Sequence, residues 1–339
     1  MRPPVTTVHA TPVASGFTFL EGPRWRDGEL FASDFYSGRV LAFRPGRSPE
    51  TGHEVRTVCE VPGRPSGLGF APDGSLLVVS MLERALLRWD GRALTTVARF
   101  GHLIEGVAND MLVTESGWAL IGNFGNTDAE PGSLRETALV RVSPDGRADL
   151  QGHGLVFPNG MVLTADRRRL LVAETFAGRV SSWQVAWSGD GAPTLGERRV
   201  WKQFGGPPGH LDIERATREL PVLPDGLAID AHDRVWVASS IGHGARLLAP
   251  DGTLLARVET GGLSPYAVAV GGADQSVLHL CCSPPLGTVD PAATTESVLY
   301  AADISALRRP APHAPRAPRS APRSAPRNSP GNSPGKETP

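Results

Sequence analysis

The chain has 339 residues and a formal net charge of −1, with 34 Lys and Arg against 35 Asp and Glu. Such a balance excludes bulk attraction to nucleic acid or to an anionic membrane. With 39 Gly, 31 Pro and 40% hydrophobic residues, the composition favours short strands parted by tight turns over long helices.

The first stretch, "MRPPVTTVHATPVASG", has no uninterrupted apolar core and is not expected to act as a signal peptide. From Glu21 onward one unit recurs: a corner with Pro or Gly, an apolar strand, a Gly/Asp turn, then further apolar strands. Copies begin at Glu21 (EGPRW), Pro65 (PSGLGF), Val107 (VANDMLV), Phe157 (FPNGMVL), Leu223 (LPDGLAI) and Ser264 (SPYAVAV). Their starts are 44, 42, 50, 66 and 41 residues apart. A period of about 40–50 residues with several strands per unit is the mark of a β-propeller blade. "LLVV", "LLVA" and "VWVA" are apolar on consecutive residues, as strands covered on both faces must be, whereas a β-sandwich would alternate apolar with polar. The expected fold is all-β, a six-bladed β-propeller over residues 1–307. Because an open edge strand invites aggregation, residues 8–20 are expected to close the ring beside residues 297–304.

The longest connection, residues 189–223, contains "LDIERATREL", a polar, helix-compatible stretch that leads into Asp225. Residues 207–220 are read either as a lid over the mouth of the ring or as a disordered insertion. Cys281 and Cys282 lie in the apolar run "VLHLCC", where strand neighbours point to opposite faces. With Cys59 the only other cysteine and no CxxC spacing, a reduced, cytoplasmic protein is expected. Residues 308–339 carry proline every few positions and are expected to be a disordered, solvated tail. The tail's seven basic residues against Glu337 make it +6, which leaves −7 for the rest of a chain at −1.

In a propeller the innermost strand of every blade runs along the central channel, so the first residues of all copies face one mouth. That position holds Glu21, Asn109, Asn159 and Asp225, with Ser66 and Tyr266 in copies two and six. Two carboxylates and two amide carbonyls form a hard, all-oxygen ligand set suited to Ca²⁺ or Mg²⁺. A bound ion would also offset the cost of burying a carboxylate. Asn-Gly and Asp-Gly are common turn dipeptides that need no ligand, so any single corner admits a plain turn. Four equivalent corners sharing one chemistry favour the cation.

These corners resemble the gluconolactonase/regucalcin family of six-bladed, calcium-dependent propellers. The resemblance rests on Glu21-Gly22-Pro23 with Trp25, Asn109-Asp110, Pro158-Asn159-Gly160 and Pro224-Asp225-Gly226, and spans roughly residues 15–305. It implies a divalent ion held by Glu21, Asn109, Asn159 and Asp225: Ca²⁺, with Zn²⁺, Mg²⁺ or Mn²⁺ left open. It further implies hydrolysis of a small-molecule lactone or related ester, with Asp225 as general base and Glu21 chiefly a ligand. Sugar-lactone members carry an arginine two residues before the Asn of the "ND" motif; here the position is Val107, which argues for a less polar substrate. Asn123, Phe124, Glu174 and His243 follow second strands and are further candidates for contact with substrate. His243 reads equally as a loop residue between glycines.

The repeats contain no GxSxG elbow, phosphate-cradling GxxxxGK[ST] or HExxH, so serine-hydrolase, NTPase and zincin chemistry gain no support. The competing reading is a propeller that binds calcium or a ligand without turning it over, since this fold hosts many functions. No nucleic-acid or membrane partner is expected, and the sequence does not speak to oligomeric state.

Overall fold

Hairpins start the architecture. The Asp27-Gly28 loop joins Arg26 to its partner Glu29 with φ of 50° and 84°, the paired left-handed turn whose twist suits a two-residue hairpin. Repetition of such units gives six sheets of four or five strands in the computed structural model, which describes residues 5–46, 52–126, 132–207, 209 and 212–307. The proposed tail, residues 308–339, lies outside the described residues.

The innermost strands are Leu20–Arg26, Pro65–Phe70, Ala108–Val113, Pro158–Leu163, Pro224–Ile229 and Ser264–Gly271. Each neighbours the next around the ring, and the last returns to the first. The protein is thus a six-bladed β-propeller, as the repeat period requires.

Consecutive apolar residues serve two different cores. In "LLVV", Leu76 and Val78 pack with blade one while Leu77 and Val79 pack with blade three. Adjacent cysteines divide in the same way: Cys281 joins the core between blades six and one, and Cys282 the core between blades five and six. Both thiols are buried and free, as is Cys59.

Ring closure uses the N-terminal segment. Thr11–Phe17 runs antiparallel to Ser297–Asp303, pairing Thr11 with Ala301 and Phe17 with Ser297, which completes blade six. The expected span of 8–20 is divided more finely than the sequence shows. Thr6–His9 instead adds in parallel to Leu254–Glu259 as a fifth strand of blade five, and Leu20 already opens blade one. One segment therefore ties together three blades.

The long connection contains a short helix, Ile213–Glu219, capped by the Asp212 carboxylate accepting from the Arg215 amide at 2.7 Å. Ala216 and Leu220 pack against Phe157, Phe176 and Leu134 at the corner end of the ring. That part of the insertion is ordered structure seated at the mouth; residues 208, 210 and 211 lie outside the described residues. No helix among the described residues is long and apolar enough to cross a membrane.

Candidate functional site

Every inner strand breaks its ladder at the same place. Pairing with the second strand shifts between Glu21 and Arg24, Pro65 and Leu68, Ala108 and Met111, Pro158 and Met161, Pro224 and Leu227, and Pro265 and Ala267. Such a bulge re-aims the side chain at the break, and six copies aim six corner residues at one axis. Close backbone approach explains the glycine that follows four of these corners, at Gly22, Gly67, Gly160 and Gly226. A Cβ on Gly160 would sit 2.3 Å from the Leu227 nitrogen, and one on Gly226 would sit 2.5 Å from the Ala267 Cα.

Glu21, Asn109, Asn159 and Asp225 all line one cavity of about 370 Å³ at the ring's mouth. All four are at least 94% buried. Their hydrogen bonds are incomplete. Asn109 Nδ2 donates to the Pro158 carbonyl at 3.3 Å, and Asn159 Nδ2 donates to Thr175 Oγ1 at 3.4 Å. Ser66 Oγ donates to Asn109 Oδ1 at 3.4 Å, and Glu21 Oε2 accepts from the Gly22 amide at 2.9 Å. The buried Asp225 Oδ1 has no partner among the described residues.

Burial acts first on the acids. It pushes Glu21 up to about 8, with the nearby Asp110 charge adding to the effect and the Gly22 amide and Arg24 opposing it. Asp225 is raised well above the usual carboxylate range by burial, then by Glu21 and Asp110; the nearby Ser240 hydroxyl acts weakly the other way without meeting hydrogen-bond geometry. Deeper in the channel, Arg24 of blade one donates to Asp110 Oδ1 of blade three at 2.9 Å and to the Met111 carbonyl.

No group of three or more His, Cys, Asp or Glu side chains among the described residues is arranged as a metal centre. The corner set instead combines two acids with two amides. An unpartnered buried Asp225 oxygen, two buried amide side chains and two carboxylates under strong desolvation fit a hard, oxygen-seeking cation.

The remaining candidates separate. Val107 and Phe124 line the cavity, Phe124 stacked on Phe157 at 4.2 Å between ring centres. Asn123 does not line it: Nδ2 donates to the Ala138 carbonyl, and Oδ1 accepts from Thr137 Oγ1 and the Gly125 amide. Its amide is consumed in shaping its own loop. Glu174 is corrected likewise. Fully buried, it accepts from Arg179 at 2.8 and 2.7 Å, from Ser181 Oγ and from the Val156 amide, so it anchors blade four. His243 is exposed and lines a separate depression with Arg246, Arg257 and Glu259.

Several lining residues escape sequence reasoning. Phe19, Tyr36, Arg64, Ser240 and Tyr266 line the cavity, as does the irregular connection from Pro284 to Thr294 in blade six. Only Tyr266 carried a signal, as the odd residue among the corners. The others reach the mouth through strand ends and loops of unlike sequence.

Comparison with known proteins identifies the family. Residues 19–283 match the SMP-30/Gluconolactonase/LRE-like region family, and the chain belongs to it. It is 26% identical over 289 residues to a gluconolactonase of Zymomonas mobilis subsp. mobilis, covering 80% of this chain and 78% of that one. It is also 28% identical over 270 residues to the pentonolactonase XacC of Haloferax volcanii, covering 77% and 80%. Among solved structures, a calcium-binding regucalcin from Agrobacterium tumefaciens superposes with a TM-score of 0.69 at 19% identity, over 88% of this chain and 95% of that one.

Proposed function

We propose that the protein is a metal-dependent hydrolase of a lactone or related ester. The observation that carries this reading is the convergence of the buried Glu21, Asn109, Asn159 and Asp225 on one cavity at the ring's mouth, with Asp225 Oδ1 left without a partner. The gluconolactonase and pentonolactonase relatives supply the reaction class, and the regucalcin neighbour supplies the precedent for calcium. Glu21, Asn109, Asn159 and Asp225 would hold the ion, for which Ca²⁺ is the first choice on donor chemistry.

When bound, a divalent cation there supplies Lewis-acid polarisation of the ring carbonyl. Asp225 is the base: ionised beside the bound cation, its carboxylate accepts a proton from water as the water oxygen bonds to the acyl carbon. The ring C–O bond then breaks, and the departing oxygen takes a proton back from Asp225. Phe19, Phe157, Phe176 and Tyr266 give the cavity an apolar wall. The helix at residues 213–219 acts as part of a lid, with Ile213 on the cavity wall. A cytoplasmic setting, with the buried thiols reduced, belongs to this same proposal.

The test is hydrolysis of a panel of aliphatic and aromatic lactones with Ca²⁺, and again after chelation. Chelator-sensitive turnover is expected. Tight Ca²⁺ binding with no turnover on any lactone would instead support a ligand-binding propeller.

A further inference from the structure

Much of the cavity's wall is apolar, in two aromatic groups. Phe19 packs against Tyr266 at 4.7 Å and Phe35 at 5.4 Å on one side. Phe157 stands against Phe124 at 4.2 Å and Phe176 at 4.8 Å on the other. Six large hydrophobic side chains are conspicuously exposed among the described residues, and three of them, Leu82, Leu286 and Val289, line this cavity. Exposed apolar surface gathered around a concave mouth marks a binding site.

One cation stands among these residues. Arg64 is the only Lys, Arg or His lining the cavity among the described residues, against the two carboxylates at the corners. Its guanidinium lies over the Tyr36 ring at 4.9 Å. No ion pair or side-chain hydrogen bond engages it among the described residues, so stacking fixes its plane and leaves the N–H edge unused. Its backbone adopts φ of 66° immediately before Pro65, a conformation costly for a non-glycine residue and one that Pro65 disfavours further. The strained corner presents the side chain at the mouth.

We propose that the substrate carries an apolar body and a carboxylate, and that Arg64 selects the carboxylate. This rests on the reading of the cavity as a lactone-hydrolysing site. A planar carboxylate matches the two-pronged edge of the guanidinium. Val107 belongs to the same picture: an apolar side chain on the wall gives substrate hydroxyls nothing to bind.

The experiment compares γ-lactones whose alkyl chain ends in a carboxylate or in its methyl ester, using the Ca²⁺-loaded wild type, R64K and R64Q. The wild type should favour the carboxylate by about 10- to 100-fold in kcat/KM, the worth of a hydrogen bond to a charged group. R64Q should bring that ratio close to one, mainly through KM, and R64K should keep part of it. An unchanged ratio in R64Q, or a wild type indifferent to the carboxylate, overturns the proposal. Tetrahydrofuran analogues with the same chains, titrated calorimetrically, separate binding from chemistry. Arg64-dependent preference for the carboxylate analogue without hydrolysis of any lactone would overturn the hydrolase and leave the selection standing. Tighter binding of a phosphonate-ended analogue would overturn the choice of anion.

Discussion

Arg24 on the first inner strand and Asp110 on the third meet at 2.9 Å within the channel, 86 residues apart in sequence. The side chains are 25% and 6% exposed, so the carboxylate is nearly out of water. Replacing Arg24 with Ala strands a buried carboxylate, and should cost about 3–5 kcal/mol in urea unfolding with chelator present. The same substitution leaves the corner site more negative, so Ca²⁺ affinity measured by calorimetry should rise. Stability and affinity moving down together would sink this account.

Asp225 is the test of chemistry. Asp225→Asn keeps an oxygen at the corner and removes the base, so turnover should fall by about 10²- to 10⁴-fold. Calcium binding should weaken but persist. Near wild-type turnover would remove Asp225 from the mechanism.

Ion removal should register in stability as well as in rate. A ligand at about 100 times its Kd adds roughly 2.7 kcal/mol to the folded state by mass action. Melting should therefore shift upward with Ca²⁺ and return on chelation, and Glu21→Gln with Asp225→Asn should abolish the shift. A calcium shift retained in the double variant would place the ion elsewhere.

His279 offers a pH prediction away from the site. It stacks on Trp25 at 5.1 Å, its buried Nδ1 has no partner, and its ring centre is 5.9 Å from that of His53. Burial and then the His53 charge lower its pKa to about 3, and burial lowers that of His53 too. Between about pH 6.5 and 3 the unfolded chain binds protons that the folded state refuses, so stability falls as pH falls. His279→Gln should flatten that slope by up to about 1.4 kcal/mol per pH unit. Identical slopes in urea unfolding between pH 4 and 7 would count against it.

The N-terminal strands differ in what they close. Deleting residues 1–9 removes one outer strand of blade five and should lower the melting temperature modestly. Deleting residues 1–17 also unpairs Ser297–Asp303 and opens the ring, so the fall should be much larger. Matching melting curves for the two truncations would show that the blade-six pairing contributes little.

Blade number was legible because each blade repeats one local pattern, and runs such as Leu76–Val79 betray burial on both faces. The corner residues were legible for the same reason: a recurrent bulge makes sequence position equivalent to spatial position. Asn123 and Glu174 occupied plausible positions, yet hydrogen bonding is a property of neighbours brought in by folding. Thr137 and Ala138 satisfy one and Arg179 and Ser181 the other, and no pattern at the residue itself reveals that. Arg64, Tyr36 and the loop from Pro284 to Thr294 gather at the mouth only because closure of the ring sets blades two, one and six around it. Periodicity encodes what every blade shares; the walls of the cavity depend on what each blade does differently, and only the closed ring brings those differences together.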